Sequence, residues 1–358
     1  MSATAAWQNF LQQQGAQWDD NGLISTFGQA ELERFLIKHG PVVTSLTHQA
    51  LIKVTGSDAQ SFLQGQLSSD ITQVSDTQAQ MSSYCDPKGN VLAVFIVFKY
   101  QGDFYLSFDA SLAQSIEKRL QMFIMRSDVQ LEDMRGTFAQ VGFAGEFGDL
   151  DIQRRLNTKV KEVWEVGMVQ QDEMQDIAVI KVPGPYHKYF LMGPAEQMIE
   201  AWTQLRANSD VTNNYDWQLL DIAAGVPQVN AQTSGEFTAQ FLNLDKFEAI
   251  NFKKGCFPGQ EIIARLHYRG KVTKRMLRLR LAGESTLQSG DTLEAQDSNG
   301  KTHRFSVINQ RPDIMGSGSL CLAIATIKSL EAVKGSLKDT QGNAIEIEPL
   351  PYRINDDE

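Results

Sequence analysis

The order of strands and helices between residues 49 and 125 limits the fold of this 358-residue chain more than any other feature of its sequence. Alternating apolar residues predict strands, and apolar residues at helical spacing predict helices. The tetrapeptide Asp86-Pro87-Lys88-Gly89 has the signature of a type I turn and predicts a hairpin. Strands in this order followed by a helix indicate an α+β fold rather than a doubly wound parallel sheet. The predicted elements are strands at 49–55, 81–85, 90–100 and 104–108, a helix after Gly56-Ser57-Asp58, and a helix at 111–125 with Leu112, Ile116, Leu120 and Phe123 facing inward.

The rest of the chain separates into further parts. The first 45 residues predict a glutamine-rich helical lead that packs on the surface, and residues from 134 onward repeat the strand and helix pattern in a weaker form. After residue 272, regularly spaced turns that contain glycine predict a small closed β-barrel. We therefore expect a lead at 1–45, a first α+β lobe at 46–133, a second lobe at 134–214, a segment at 215–271 that packs back on the first lobe, and a barrel at 272–358.

Composition places the chain among ordinary globular proteins of more than one domain, since 42% of its residues are hydrophobic and 21% are charged. Its three cysteines, Cys85, Cys256 and Cys321, are far apart and odd in number, which argues against a disulfide framework and favours a reducing compartment. No apolar run has the length of a membrane span, and the first basic residue is Arg34, so we expect no signal peptide and no membrane partner. We predict a cytoplasmic protein of bacterial type.

Charge is distributed unevenly along the chain. The net charge is −10, but residues 253–280 contain nine Lys or Arg and one Glu, a local balance of +8. Such a segment can steer an anionic partner, RNA included. For Arg278 and Arg280 a solvated strand face is the preferred interpretation, because the run 277–281 alternates with period two. For Lys253, Lys254, Arg265, Arg269 and Lys271 both interpretations stay open.

Cys256 stands in the most distinctive segment, Lys253-Lys254-Gly255-Cys256-Phe257-Pro258-Gly259-Gln260-Glu261. Cationic neighbours and a helix N-terminus both stabilise a thiolate, so this setting favours a reactive cysteine. An isolated cysteine is otherwise more often an inert core residue. Nothing in the spacing of the Cys and His residues predicts a metal site, and His267 is expected to be a surface or loop residue.

The octamer 254–261 resembles the KGCxxGQE signature of the YgfZ family, folate-binding proteins of tRNA modification and iron–sulfur maintenance. The segment 62–70, FLQGQLSSD, resembles the FLQGQ segment near the start of those proteins. The likeness runs from about residue 46 to the end. It implies an aminomethyltransferase-like α+β fold, with two α+β lobes and a C-terminal small β-barrel around a central folate channel, and it places residues 215–271 along that channel.

The resemblance also implies roles for single residues. Cys256 would be the catalytic or functional thiol, with Lys254 as the neighbour that lowers its pKa. Tetrahydrofolate or a one-carbon derivative would be the cofactor, with iron–sulfur enzymes such as tRNA methylthiotransferases as partners. Trp217 matches one tryptophan that the family links to folate, and the position of a second such tryptophan is occupied by Gln49 here. The acidic residue usual just before the Ala224-Gly225 step is also absent, since Ala223 stands there. The implied cofactor-binding residues are Trp217, Gln49, Gly255, Gln260 and Glu261.

One departure limits the chemistry. Aminomethyltransferases carry a catalytic aspartate in the strand after the hairpin turn, where Ala93 and Val94 stand here. Neither side chain can exchange a proton, so aminomethyl transfer of that type is not expected. Two other functions stay open: a folate-dependent one-carbon transferase or demethylase with an altered catalytic group, and an RNA-binding module that uses residues 253–280.

Overall fold

The computed structural model describes residues 3–283, 285–313 and 318–354, apart from the side chains of residues 3, 4 and 39. The helices are α1 (Ala3–Gln13), α2 (Ala30–His39), α3 (Ala59–Gln66), α4 (Ala113–Ile124), α5 (Gly148–Leu156), α6 (Ala195–Arg206), α7 (Asn214–Ala223), α8 (Gln260–Tyr268) and α9 (Ile327–Glu331). The strands are β1 (Gln17–Trp18), β2 (Ile24–Thr26), β3 (Val42–Ser45), β4 (Gln49–Thr55), β5 (Gln80–Cys85), β6 (Val91–Tyr100), β7 (Asp103–Asp109), β8 (Gln130–Asp133), β9 (Phe138–Gly145), β10 (Val166–Met168), β11 (Ala178–Val182), β12 (His187–Pro194), β13 (Asp210–Val211), β14 (Lys274–Ala282), β15 (Thr292–Gln296), β16 (Thr302–Pro312), β17 (Gly318–Thr326), β18 (Leu337–Asp339) and β19 (Ala344–Glu348).

The chain forms two compact units, each built from separate stretches of sequence. The first contains Met1–Phe62, Thr72–Gln80 and Ile96–Gln218, and the second contains Leu63–Ile71, Met81–Phe95 and Leu219–Glu358. Strands and helices alternate through the chain as predicted, and the α+β class is confirmed. No helix among the described residues combines the length and the apolar character that crossing a bilayer requires.

The first unit contains a six-stranded sheet in the order β10-β11-β12-β9-β3-β13. Its neighbours run antiparallel except for β13, which runs parallel to β3. A further sheet of this unit contains β8, β4, β7 and the Ile96–Tyr100 part of β6, all antiparallel, and β1 and β2 form a small two-stranded sheet. The strand predicted at residues 49–55 is β4. Ala50, Ile52 and Val54 lie on one buried face, and Leu51 is buried on the other.

The prediction that the N-terminal lead packs on the surface is wrong. Trp7 and Leu11 of α1 belong to the core of the first unit, and the Trp7 ring lies edge-on 5.8 Å from the ring of Trp202. The Trp7 indole N–H also donates to the hydroxyl of Ser45 at 3.2 Å, at the end of a fully buried β3. Periodicity shows that a helix has an apolar face, but it does not identify the surface that this face covers.

A second correction concerns α4 in the same unit. Leu112, Ile116 and Leu120 are buried as predicted, but Phe123 is 44% exposed. Phe123 lies in the last turn of α4, where the Arg119 guanidinium lies 5.9 Å from its ring centroid. The aromatic ring therefore lies next to a long polar side chain and is not part of the core.

The second unit contains the predicted barrel, which is confirmed. Its strands close in the order β14-β17-β16-β15-β18-β19, with β14 also paired to β19. Alternate side chains of these strands fill the interior, among them Leu279, Phe305 and Cys321. Gly290 and Gly342 adopt φ values of 92° and 88° in the connecting turns, a region that glycine occupies at little steric cost.

Candidate functional site

The loop at residues 253–259 belongs to the second unit and leads into α8. Cys256 is exposed in this loop, whereas Cys85 and Cys321 are buried. Burial raises the pKa of the Cys85 thiol and of the Cys321 thiol to about 12, because the interior solvates a thiolate poorly. Of the three cysteines, Cys256 is the one that a solvent-borne reactant can reach.

Lys254 fixes the loop through its ammonium group. Nζ donates hydrogen bonds of 2.6, 2.7 and 2.7 Å to the main-chain carbonyl oxygens of Gln64, Leu67 and Ser69. An ammonium has three N–H donors, so the backbone uses its full hydrogen-bonding capacity. Gln64 lies in the last turn of α3, where carbonyls lack helical partners and attract a cation. Lys254 therefore joins the loop at residues 253–259 to the FLQGQ segment.

The location of this ammonium changes its acidity. Burial lowers the pKa of Lys254 to about 8, although the charge of Asp70 acts in the opposite direction. A desolvated ammonium is less stable than a hydrated one, and the three carbonyls supply the compensating contacts. The Lys254 Nζ also lies 5.5 Å from the ring centroid of Phe257. The effect of Lys254 on the pKa of Cys256 stays a prediction.

Two glycines bring the loop against the β5–β6 hairpin. A β-carbon on Gly259 would lie 2.5 Å from the Cα of Gly89 and 2.6 Å from the carbonyl oxygen of Asp86. Gly259 also has a φ of 80° and immediately precedes α8. The backbones can approach this closely because neither residue carries a side chain. The helical run predicted from Gln260 is confirmed as α8.

The three other loop positions predicted as site residues differ in their surroundings. Gly255 is exposed, and a β-carbon there would meet no atom within 4 Å. Gln260 is half-buried and donates a long hydrogen bond of 3.4 Å to the Lys254 carbonyl. Glu261 is exposed in the first turn of α8, where a negative charge favours the helix. Their contact with a ligand stays a prediction.

A group of buried serines supports the segment that Lys254 binds, and sequence reasoning missed it. The hydroxyl of Ser68 lies 2.7 Å from that of Ser83 and donates to the Ala249 carbonyl at 2.6 Å. The Ser69 main-chain N–H donates to the Ser82 hydroxyl at 3.1 Å. The available signal was a pair of Ser-Ser steps, Ser68-Ser69 before the predicted hairpin and Ser82-Ser83 in its first strand.

The hairpin itself offers no catalytic acid in the place that aminomethyltransferases use. Ala93 is fully buried and Val94 is half-buried. Asp86 is the only acidic residue between positions 81 and 95. Its carboxylate accepts the main-chain N–H groups of Lys88 and Asn90 at 2.8 and 2.9 Å, so it is committed to the turn.

Trp217 lies in the first unit, on α7, and is 2% exposed. Its six-membered ring packs on Gly142 so closely that a β-carbon there would lie 2.4 Å from a ring carbon. The Lys188 ammonium lies 5.0 Å from the ring centroid, a cation–π arrangement. Trp217 thus occupies the position of a buried helix tryptophan, and its contact with folate stays a prediction.

Gln49 also lies in the first unit, at the start of β4. Ser107 donates its hydroxyl to the Gln49 side-chain oxygen at 2.8 Å, and Gln140 donates its amide N–H to the Gln49 carbonyl at 3.0 Å. Gln49 lines a cleft of about 810 Å³ together with Trp18, Phe138 and other residues of this unit. Aromatic walls with amide groups suit a planar ring that has hydrogen-bonding edges, as a pterin has.

The basic segment separates into two groups of side chains. Arg275 is buried and makes a bidentate pair with Asp245, at 2.7 and 3.0 Å. Arg278 and Arg280 lie on one face of β14, as predicted, but both pair with Glu348, at 3.0 and 2.5 Å. The antiparallel partner β19 supplies this carboxylate, and the side chains of Arg278 and Arg280 stay 18% and 37% exposed, so the predicted face is solvated in part. Exposed positions hold a second group: Lys253, Arg265, Arg269 and Lys271.

Within the described part of the chain, no group of three or more His, Cys, Asp or Glu side chains is arranged to hold a metal ion. His267 is exposed, as predicted, and its ring stacks on Phe252 with a centroid distance of 3.8 Å.

Comparison with known proteins gives a consistent result. No family model matches the chain. Over 315 residues, 87% of this chain and 93% of the relative, the sequence is 26% identical to a tRNA-modifying protein YgfZ of Escherichia coli O7:K1 strain IAI39. The protein of that name from strain O157:H7 EC4115 has the same identity and coverage. The resemblance to the YgfZ family is confirmed.

The YgfZ likeness covers sequence from both compact units. Among solved structures, the glycine cleavage system aminomethyltransferase T from Bartonella henselae superposes with a TM-score of 0.77. That match covers 96% of each chain at 15% sequence identity. The aminomethyltransferase-like fold that the YgfZ resemblance implied is therefore confirmed.

Proposed function

We propose that this chain is a tetrahydrofolate-binding, YgfZ-type protein that supports tRNA modification, with Cys256 as its functional thiol. The observation that carries the proposal is the exposure of Cys256 in a held loop, while Cys85 and Cys321 are buried. The similarity over 87% of the chain to proteins named for tRNA modification supports the process. The aminomethyltransferase-like fold supports a relation to folate.

The loop geometry supports a thiol that is presented to a partner rather than one that stabilises the core. Lys254 holds the backbone two residues before Cys256 through three hydrogen bonds, and Gly259 anchors the backbone three residues after it. A side chain between two fixed backbone points has a defined position without being buried. Within this proposal the partners are iron–sulfur enzymes of the tRNA methylthiotransferase type, and the setting is the cytoplasm.

The residues of the first unit are compatible with a folate. The cleft that Gln49 lines offers aromatic walls and side-chain amides, the combination that a pterin needs for packing and for orientation. Trp217 does not line that cleft. When bound, tetrahydrofolate supplies a carrier of one-carbon units.

The binding half of the proposal is tested by calorimetric titration of tetrahydrofolate into the wild type, Gln49→Ala and Cys256→Ser. We expect saturable binding by the wild type, weaker binding by Gln49→Ala, and unchanged binding by Cys256→Ser. A wild-type protein that binds no folate derivative would remove the cofactor from the proposal.

The functional half is tested in an Escherichia coli strain that lacks its own YgfZ, with methylthiolated adenosine in tRNA measured by mass spectrometry. We expect the wild type and Cys321→Ala to restore the modification and Cys256→Ser to fail. Cys321→Ala is the matched control, since it removes a thiol and leaves the loop intact. Full restoration by Cys256→Ser would show that the thiol is not required.

A further inference from the structure

Three aromatic rings form a cluster beside the basic part of the second unit. Phe252 and His267 stack with a centroid distance of 3.8 Å and an interplanar angle of 10°. Tyr268 meets both rings edge-on, at 6.2 Å from Phe252 and 4.7 Å from His267. Tyr268 is nevertheless 63% exposed. Its neighbours thus fix the ring without covering it.

Exposed cations lie within three positions of these aromatic residues in the sequence. Of the nine basic residues between 253 and 280, the three arginines of β14 are paired with carboxylates, and the Lys254 ammonium is bound by carbonyls. Lys274 lies over the ring of Phe241 at 5.8 Å. The remaining four are exposed and have no ion pair within the described residues: Lys253, Arg265, Arg269 and Lys271. We call these four, with Phe252, His267 and Tyr268, the α8 surface.

We propose that the α8 surface binds single-stranded RNA, with a base stacked on Tyr268 and phosphates on the four cations. This inference rests on the proposed role in tRNA modification, since it names tRNA as the macromolecule that the chain touches directly. The chain has a net charge of −10 and as a whole repels anions. A positive surface on such a chain is therefore the place where an anion can approach.

The aromatic cluster identifies the class of polyanion. Double-stranded nucleic acid keeps its bases stacked on each other, so an exposed ring gains nothing from it beyond the backbone charge. An unpaired loop nucleotide can stack on an aromatic side chain while flanking phosphates contact Lys and Arg. An acidic protein surface would use the cations and would make no specific use of Tyr268. The combination therefore favours a single strand over both alternatives.

The test is the fluorescence anisotropy of a labelled single-stranded RNA dodecamer added to the purified full chain, without folate, over a series of salt concentrations. We expect Tyr268→Ala to weaken binding roughly 5- to 150-fold, the range for loss of one stacked base. Tyr268→Phe should restore it, because stacking needs the ring and not the hydroxyl. The triple variant Arg265→Gln/Arg269→Gln/Lys271→Gln should reduce the salt slope by about 2.

The control is the triple variant Lys118→Gln/Arg154→Gln/Lys301→Gln, which removes the same charge from exposed positions outside the α8 surface. It should bind like the wild type. Equal loss in the two triple variants, or wild-type affinity in Tyr268→Ala, would overturn the proposal. Binding of a duplex of equal length as tightly as the single strand would also overturn it. Because the assay needs neither folate nor Cys256, its failure is distinct from failure of the proposed function.

Discussion

Gly259 and Gly89 are in van der Waals contact through their backbones, and a β-carbon on Gly259 would lie 2.5 Å from the Cα of Gly89. This contact joins the start of α8 to the turn of the β5–β6 hairpin within the second unit. The second glycine of the KGCxxGQE segment, Gly259, therefore has a structural reason that is independent of any ligand.

Gly259→Ala should destabilise the protein. The substitution puts a side chain at a φ of 80° and forces it against Gly89 and the Asp86 carbonyl. Left-handed strain and overpacking each cost about 1–3 kcal/mol, so we expect the free energy of unfolding to fall by about 2–5 kcal/mol. Chemical denaturation measures the change.

The matched control is Gly255→Ala in the same loop, where a β-carbon meets nothing within 4 Å. We expect a change of less than about 1 kcal/mol for this exposed position. Equal destabilisation by the two substitutions would contradict the close approach at Gly259.

Lys254→Met should also destabilise the protein, whereas Lys253→Met should not. The first change leaves the carbonyls of Gln64, Leu67 and Ser69 without their donor. Hydrogen bonds to charged groups contribute about 1.5–3 kcal/mol each and are not additive, so we expect a loss of about 2–4 kcal/mol. Lys253 is exposed and serves as the neighbouring control. Thermal and chemical denaturation of the two variants compare them directly.

Lys254 should titrate near pH 8 in the folded protein, because burial lowers its pKa from 10.5 to about 8. Between these two values the unfolded chain binds more protons at this site than the folded chain does. The contribution of Lys254 to the free energy of unfolding should therefore rise with pH across this window and stay constant below it. NMR of ¹³C-labelled lysine, assigned with Lys254→Met, measures the midpoint. A Lys254 signal that titrates with the exposed lysines would contradict the burial argument.

The sequence was most informative where a local pattern determines local structure. β4 begins at Gln49 and ends at Thr55 as predicted, and the turn glycines Gly290 and Gly342 appear where the barrel requires them. Partners distant in sequence were not predictable in the same way. Lys254 donates hydrogen bonds to carbonyls some 190 positions earlier in the chain. This pairing depends on tertiary packing, which composition and spacing do not reveal.

In the basic segment, too, the sequence pattern predicted the local structure but not the residues that pair across the fold. Period two placed Arg278 and Arg280 correctly on one strand face, but only the register of β14 with β19 reveals their carboxylate partner Glu348. The stacking of Phe252 on His267 was equally unpredictable, because the two residues lie fifteen positions apart in the sequence. Long-range pairing, rather than local propensity, decided which cations remained available at the surface.

Cys256 should react with iodoacetamide at least about 100-fold faster than Cys85 or Cys321 in the folded protein. Alkylation requires an accessible thiolate, and both other thiols are buried with a pKa raised to about 12. They should become reactive only when the protein unfolds, so their labelling should follow the denaturation curve. Peptide mass spectrometry after timed quenching assigns each site. First labelling of Cys85 or Cys321 would contradict the prediction.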